Sequence, residues 1–178
     1  FPESKGLCET YADGTRGGAV YEWLLEIAKY TNWEYEFVED DLMEAIRGIS
    51  AGKYDLMGAI LKIPGFGENL YYPDYLIGFN NSLLIYNKDD YSIKSFDVKS
   101  IDGKTIGVFK NAAAKLKRLH NVLDFNNVAC KFKYYSETDD FEQALNKHEV
   151  DLLLVNDTYK NVSDYNVALR FDAEPCYM

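Results

Sequence analysis

Two copies of one local pattern constrain this chain more than any other feature. Gly52-Lys53-Tyr54-Asp55-Leu56-Met57-Gly58-Ala59 has a weaker echo at His148-Glu149-Val150-Asp151-Leu152-Leu153-Leu154-Val155. In each copy a helix of apolar periodicity ends at a one-turn break, and an Asp then leads a buried strand. A chain that carries the pattern twice is expected to form two similar α/β lobes joined by crossovers. Two such lobes enclose a cleft, and the residues lining it decide the function.

Composition narrows the chemistry. With 178 residues, 47% of them hydrophobic, the chain is long enough to bury a core. A formal net charge of -10 argues against nucleic acid or an anionic membrane surface as a partner, because both require concentrated Lys and Arg. The acidic runs Glu39-Asp40-Asp41 and Asp139-Asp140 lack the turn-making Gly of a calcium loop and read as solvated loop charge. No apolar run reaches membrane-spanning length, and Phe1 follows no charged leader, so the chain reads as cytosolic or as an excised segment, with the ends favouring excision. Cys8, Cys130 and Cys176 form no C-x-x-C pair, so neither a zinc site nor a disulfide framework is expected. One bridge, Cys8 with Cys176, is conceivable beside three separate thiols. No cofactor is expected.

Periodicity predicts a helix over Val20 to Tyr30 and a half-buried strand over Trp33 to Val38. It then predicts a helix over Met43 to Ala51 closed by Gly52, and a buried strand over Asp55 to Ile60. From Lys62 to Tyr75 both periods vanish, leaving a long loop. Strands follow at 82–86, 104–109, 130–135, 151–155 and 167–171, with helices at 112–123, 140–147 and, briefly, 158–162. Such alternation implies mostly parallel pairing with right-handed crossovers.

The Asp13-Gly14 turn with Gly18, Glu26-Ile27-Ala28, the Trp33 strand and Ala51-Gly52-Lys53-Tyr54-Asp55-Leu56 begin a series. Tyr72-Pro73-Asp74-Tyr75, Ile101-Asp102-Gly103-Lys104-Thr105-Ile106-Gly107-Val108 and Val150-Asp151 with Asp157 continue it. In this order and spacing the chain resembles solute-binding protein family 3, the amino-acid-binding type of periplasmic binding protein. Its flavour is similar to sensor modules outside the membrane in signalling proteins. The resemblance implies a type II two-lobe fold, with residues 1–86 and 172–178 in one lobe, a hinge at 87–91 and residues 92–171 in the other. It also implies a strand before Phe1 and a return segment after Met178, so the fold is expected to be truncated at both ends. The implied role is a non-enzymatic extracellular or periplasmic sensory domain, with an amino-acid ABC transporter component as the alternative. Its partner would be a small amino-acid-like molecule or a neighbouring protein domain, and the membrane would be reached only through an anchor outside this sequence.

An amino-acid site must neutralise a carboxylate, best with an Arg fork. The resemblance puts that Arg in a Thr-x-Glu-Arg-like tetrad, where this chain has Ile63-Pro64-Gly65-Phe66. Phe66 therefore stands in the Arg position, and Lys62 is the one basic residue between Asp55 and Asp74. By the same resemblance Leu42 replaces a stacking aromatic, and Ala112 and Ala113 replace a small hydroxyl residue that opens the second-lobe helix. Asp157 matches the acceptor for a ligand ammonium group, although an N-cap for a helix from Thr158 explains it equally. Asn111 would cap the second-lobe helix or touch ligand. Tyr11, Gly58 and Ala59 complete the candidate ligand set. His120 and His148 have no triad partner in the pattern, so no catalytic residue and no metal ligand is assigned.

Overall fold

A computed structural model of the chain describes residues 1–4, 6–62, 70–159 and 162–177, excepting the side chains of Thr138 and Asp139. The chain divides into two compact units, Phe1–Phe79 with the end of the chain from Glu174, and Asn80–Ala173.

The second unit holds the larger core. It contains most of β4 (Gly78–Tyr86), then β5 (Thr105–Phe109), α3 (Ala113–Phe125), β6 (Lys131–Tyr135), α4 (Thr138–Asn146), β7 (Leu152–Asn156) and most of β8 (Asn166–Tyr177). Their hydrogen-bonded order is β8-β4-β7-β5-β6. Both β6 and β7 run parallel to β5, as crossover helices between them require. The expected mostly parallel sheet is mixed, because β4 pairs antiparallel with β7, from Ser82 opposite Asn156 to Ile85 opposite Leu153.

Buried side chains cover both faces of this sheet. Leu84, Ile106, Val108, Leu152 and Leu154 face α3 through Leu119 and Leu123. Leu83, Ile85, Leu153 and Val155 join Phe141, Ala144 and Leu145 of α4. Successive strand residues point to opposite faces, which explains why β4 and β7 read as continuous apolar runs. Gly107 leaves room for its neighbour on β7, since a Cβ there would lie 2.7 Å from Leu153 Cδ2.

The first unit is built from β1 (Glu9–Thr10), β2 (Arg16–Gly17), α1 (Ala19–Thr31), α2 (Leu42–Ser50) and β3 (Ile60–Leu61). Asp41 caps α2, accepting from the Met43 and Glu44 amides at 2.8 and 3.0 Å. Gly18 precedes α1 at φ 94, with its Cα so near Leu7 that a Cβ would meet the Leu7 carbonyl oxygen at 2.4 Å. Its core is two small clusters. One gathers Cys8, Val20 and Leu24 with Tyr35, Phe37 and Ala59, and the other Ala45, Ile46, Met57 and Ile60.

The two strands expected at 33–38 and 55–60 are corrected by the structure. Tyr35 and Phe37 are half-buried while Glu34, Glu36 and Val38 are exposed, so the alternation of a strand is present. Among the described residues, however, 33–38 enters no ladder, and only the Val38 carbonyl is engaged across the chain, accepting from the Phe1 ammonium at 2.8 Å. Of the second segment, Ile60 and Leu61 alone enter a ladder, antiparallel to Tyr177 and Cys176 of β8. Alternation specifies the faces of a strand, but strand assignment needs a neighbour to supply hydrogen bonds. Of the helix expected at 158–162, residues 160 and 161 lie outside the described residues; Thr158 and Tyr159 are not helical, and Val162–Asp164 form a short 3-10 turn. Cys8, Cys130 and Cys176 form no disulfide.

Candidate functional site

In the second unit, parallel pairing sets the candidate residues at one edge. Gly107 lies opposite Leu153, so two strands that leave the sheet in the same direction place 111–113 and Asp157 beyond their carboxyl ends. Carboxyl ends of parallel strands are where open α/β sheets bind ligands. Helix α3 begins at this edge with Ala112 as its N-cap and no side-chain cap, so Asn111, exposed in the preceding turn, does not serve as one.

Asp157 is the best-defined polar group at that edge. Its Oδ2 accepts from the Asn81 backbone amide at 3.1 Å and from Asn81 Nδ2 at 2.6 Å. Its own amide donates to the Asn81 carbonyl at 3.0 Å, extending the β4·β7 ladder by one residue. The N-cap role expected for Asp157 is replaced by this clasp, because no helix starts at Thr158. Among the described residues, buried Asp157 Oδ1 has no hydrogen-bond partner, which leaves an acceptor of a carboxylate unsatisfied.

The same edge ends in aromatics. Phe109 lies opposite Tyr135 in the β5·β6 register, and Phe141 packs against both, with ring centroids 4.2 and 5.8 Å away. Tyr135 Oη is also buried without a partner. Burial, reinforced by donation to Glu142 at 3.0 Å, pushes the Tyr159 phenol well above its ordinary range. Arg118 of α3 is committed to Asp172, at 2.7 Å.

The other candidates lie in the first unit. Tyr11 donates to Glu9 Oε2 at 3.0 Å and lies over Gly17, where a Cβ would meet the Tyr11 hydroxyl oxygen at 2.6 Å. Leu42 is the exposed first residue of α2. Gly58 is packed on Val20, and Ala59 takes φ 56 beside it. Phe66, with Ile63, lies outside the described residues. Arg16 is held by Glu39 at 3.7 Å and stacks over Phe37.

Sequence reasoning missed Asn81 and Tyr135. Asn81 had a weak signal in the polar Asn80-Asn81-Ser82 step before an apolar strand. Tyr135 read as one of many core aromatics.

No family model and no curated protein matches the sequence. Solved structures match nearly all of it. A second substrate-binding domain, assigned to an amino acid ABC transporter of Streptococcus pneumoniae, superposes with TM-score 0.74 at 14% identity, covering 99% of this chain and 82% of that one. Substrate-binding domain 2 of Lactococcus lactis GlnP, in its open conformation, gives 0.73 at 18% identity, covering 98% and 74%. The ligand-binding core of GluR0 in complex with L-glutamate gives 0.64 at 16%, covering 99% and 80%. The chain therefore has the type II periplasmic binding fold of these domains.

Proposed function

We propose that this chain is a non-enzymatic solute-binding domain of the amino-acid-binding type, acting on the extracellular or periplasmic face of a membrane as a sensory module. The observation that carries this reading is the agreement of fold with substrate-binding domains over 98–99% of the chain. Asp157 adds chemical support, because a buried carboxylate oxygen without a partner suits a ligand ammonium group. Among the described residues no helix is long and apolar enough to cross a membrane, so an anchor would belong to another segment.

The carboxylate half of an amino-acid site is weak in this reading. Between Asp55 and Asp74 the sequence offers Lys62 and no Arg, and Lys62 stands over the rings of Tyr72 and Tyr177. A ligand carboxylate taken from water without a fork of donors loses several kcal/mol, roughly the difference between micromolar and undetectable binding. The site is thus degenerate or repurposed, for a small molecule lacking that group or for a neighbouring protein domain. Calorimetry against the twenty amino acids tests it: binding weaker than micromolar throughout is expected. Micromolar binding of any one would favour an uptake component of an ABC transporter, the kind of protein to which the Streptococcus pneumoniae neighbour is assigned.

A further inference from the structure

Strand β6 ends the sheet of the second unit. It pairs through all 5 of its residues with β5 and, among the described residues, with no other strand. The register fixes which backbone groups are open. The Lys131 amide donates to the Lys104 carbonyl at 2.9 Å and the Tyr135 carbonyl accepts from the Lys110 amide at 3.0 Å, so Lys131, Lys133 and Tyr135 direct their backbone groups at β5. Phe132 and Tyr134 alternate with them and direct theirs outward, where among the described residues neither finds a backbone partner. The pairing is unbroken by a bulge and the strand contains no proline, so two of the devices that blunt a sheet edge are absent.

Side chains divide this edge by charge. Lys131, Lys133 and Tyr135 share the α4 face, where Tyr135 packs on Phe141, while Phe132 and Tyr134 share the α3 face, where Phe132 meets His120 with ring centroids 4.7 Å apart. Lys131 and Lys133 are exposed, and so is Lys117, one turn before His120 on the same side of α3. These cations stand against a formal net charge of -10 for the whole chain, and Glu149, 2.5 Å from Lys133, answers one of them. Tyr134 remains 51% exposed on the other face. A second copy of β6 is a poor mate, because pairing centred on the strand sets Lys133 opposite Lys133, and like charges directly opposite destabilise a ladder. A strand with acids at alternate positions fits instead: its carboxylates face Lys131 and Lys133, and its apolar residues cover Tyr134.

We infer that the outer edge of β6 is a docking edge for a partner protein: it takes an extended segment of about five residues in which acidic and apolar side chains alternate, added to the sheet through the backbone of Phe132 and Tyr134. This inference is independent of the amino-acid reading, since neither Asp157 nor Asn81 takes part in it.

The test adds a synthetic peptide, Thr-Glu-Val-Glu-Val-Glu-Thr, to the intact chain and follows amide hydrogen exchange at single residues. Exchange at Phe132 and Tyr134 should slow about tenfold or more, while Leu84 and Leu154 inside the sheet stay unchanged. The same peptide with Lys in place of Glu should protect neither amide, and added NaCl should weaken protection by the acidic form. Tyr134→Pro removes one outward donor and leaves the β5 ladder intact, so it should abolish protection at Phe132. The acidic peptide N-methylated through its central Val-Glu-Val keeps its side chains and loses its ladder; it should give no protection, and it decides the matter if Tyr134→Pro does not fold. No protection at millimolar acidic peptide, equal protection by the Lys peptide, protection that survives N-methylation, or protection of the same amides by dimerisation of the chain alone would each overturn the inference.

Discussion

Removing Asp157 should open the second unit at a definite energetic level. Its Oδ2 accepts two charge-assisted bonds from Asn81, at 3.1 and 2.6 Å. At a half-buried site each such bond contributes about 1.5 kcal/mol, the low end for charged acceptors. Against that stands the buried Oδ1 without a partner, whose desolvation costs about 1 kcal/mol and is relieved on deletion. Asp157→Ala should therefore cost about 2 kcal/mol. Asn81→Ala removes the side-chain bond but leaves the backbone amide, so the double-mutant cycle isolates the 2.6 Å contact at about 1.5 kcal/mol. Native-state hydrogen exchange at Leu83–Ile85 and Leu153–Val155, whose ladder the clasp extends, reads this as a roughly tenfold change in opening. A coupling below about 0.5 kcal/mol, the scatter of independent sites, would refute the clasp.

Three further outcomes follow from the packing. Phe141→Ala, which empties a fully buried position ringed by Phe109, Tyr135 and Tyr159, should cost about 3–5 kcal/mol and unfold the second unit first in a urea titration. Asp41→Ala should lower the stability of α2 by about 1 kcal/mol, seen as faster exchange confined to that helix, because two first-turn amides lose their acceptor. Burial raises the Cys8 thiol from 9.0 to about 11, so its contribution is fully present below the lower value and lost as pH rises through the upper. The melting temperature should fall across that interval, and less steeply in Cys8→Ala; an equal fall in both would refute the assignment.

The sequence by itself determined the faces. Leu152 to Val155 reads as a buried strand because four consecutive apolar residues cannot present a polar face, and all four are buried. Helices α1, α2, α3 and α4 likewise appear where apolar periodicity and caps put them, within two residues at each end. The same logic made 33–38 look like a strand, and its alternation is real: Tyr35 and Phe37 do turn inward. What periodicity does not contain is the neighbour. Whether 33–38 and 54–59 find partners depends on backbone groups brought from elsewhere, which no local pattern encodes. Direction is decided at the same level, since β4 and β7 are equally apolar whichever way they pair, and their antiparallel register follows from the path of the chain. The candidate site divides in the same manner. Asp157 is picked out through the family resemblance, but its meaning changed once Asn81 lay 76 residues away and within hydrogen-bond reach, because a contact of that range is a product of folding and has no trace in local sequence.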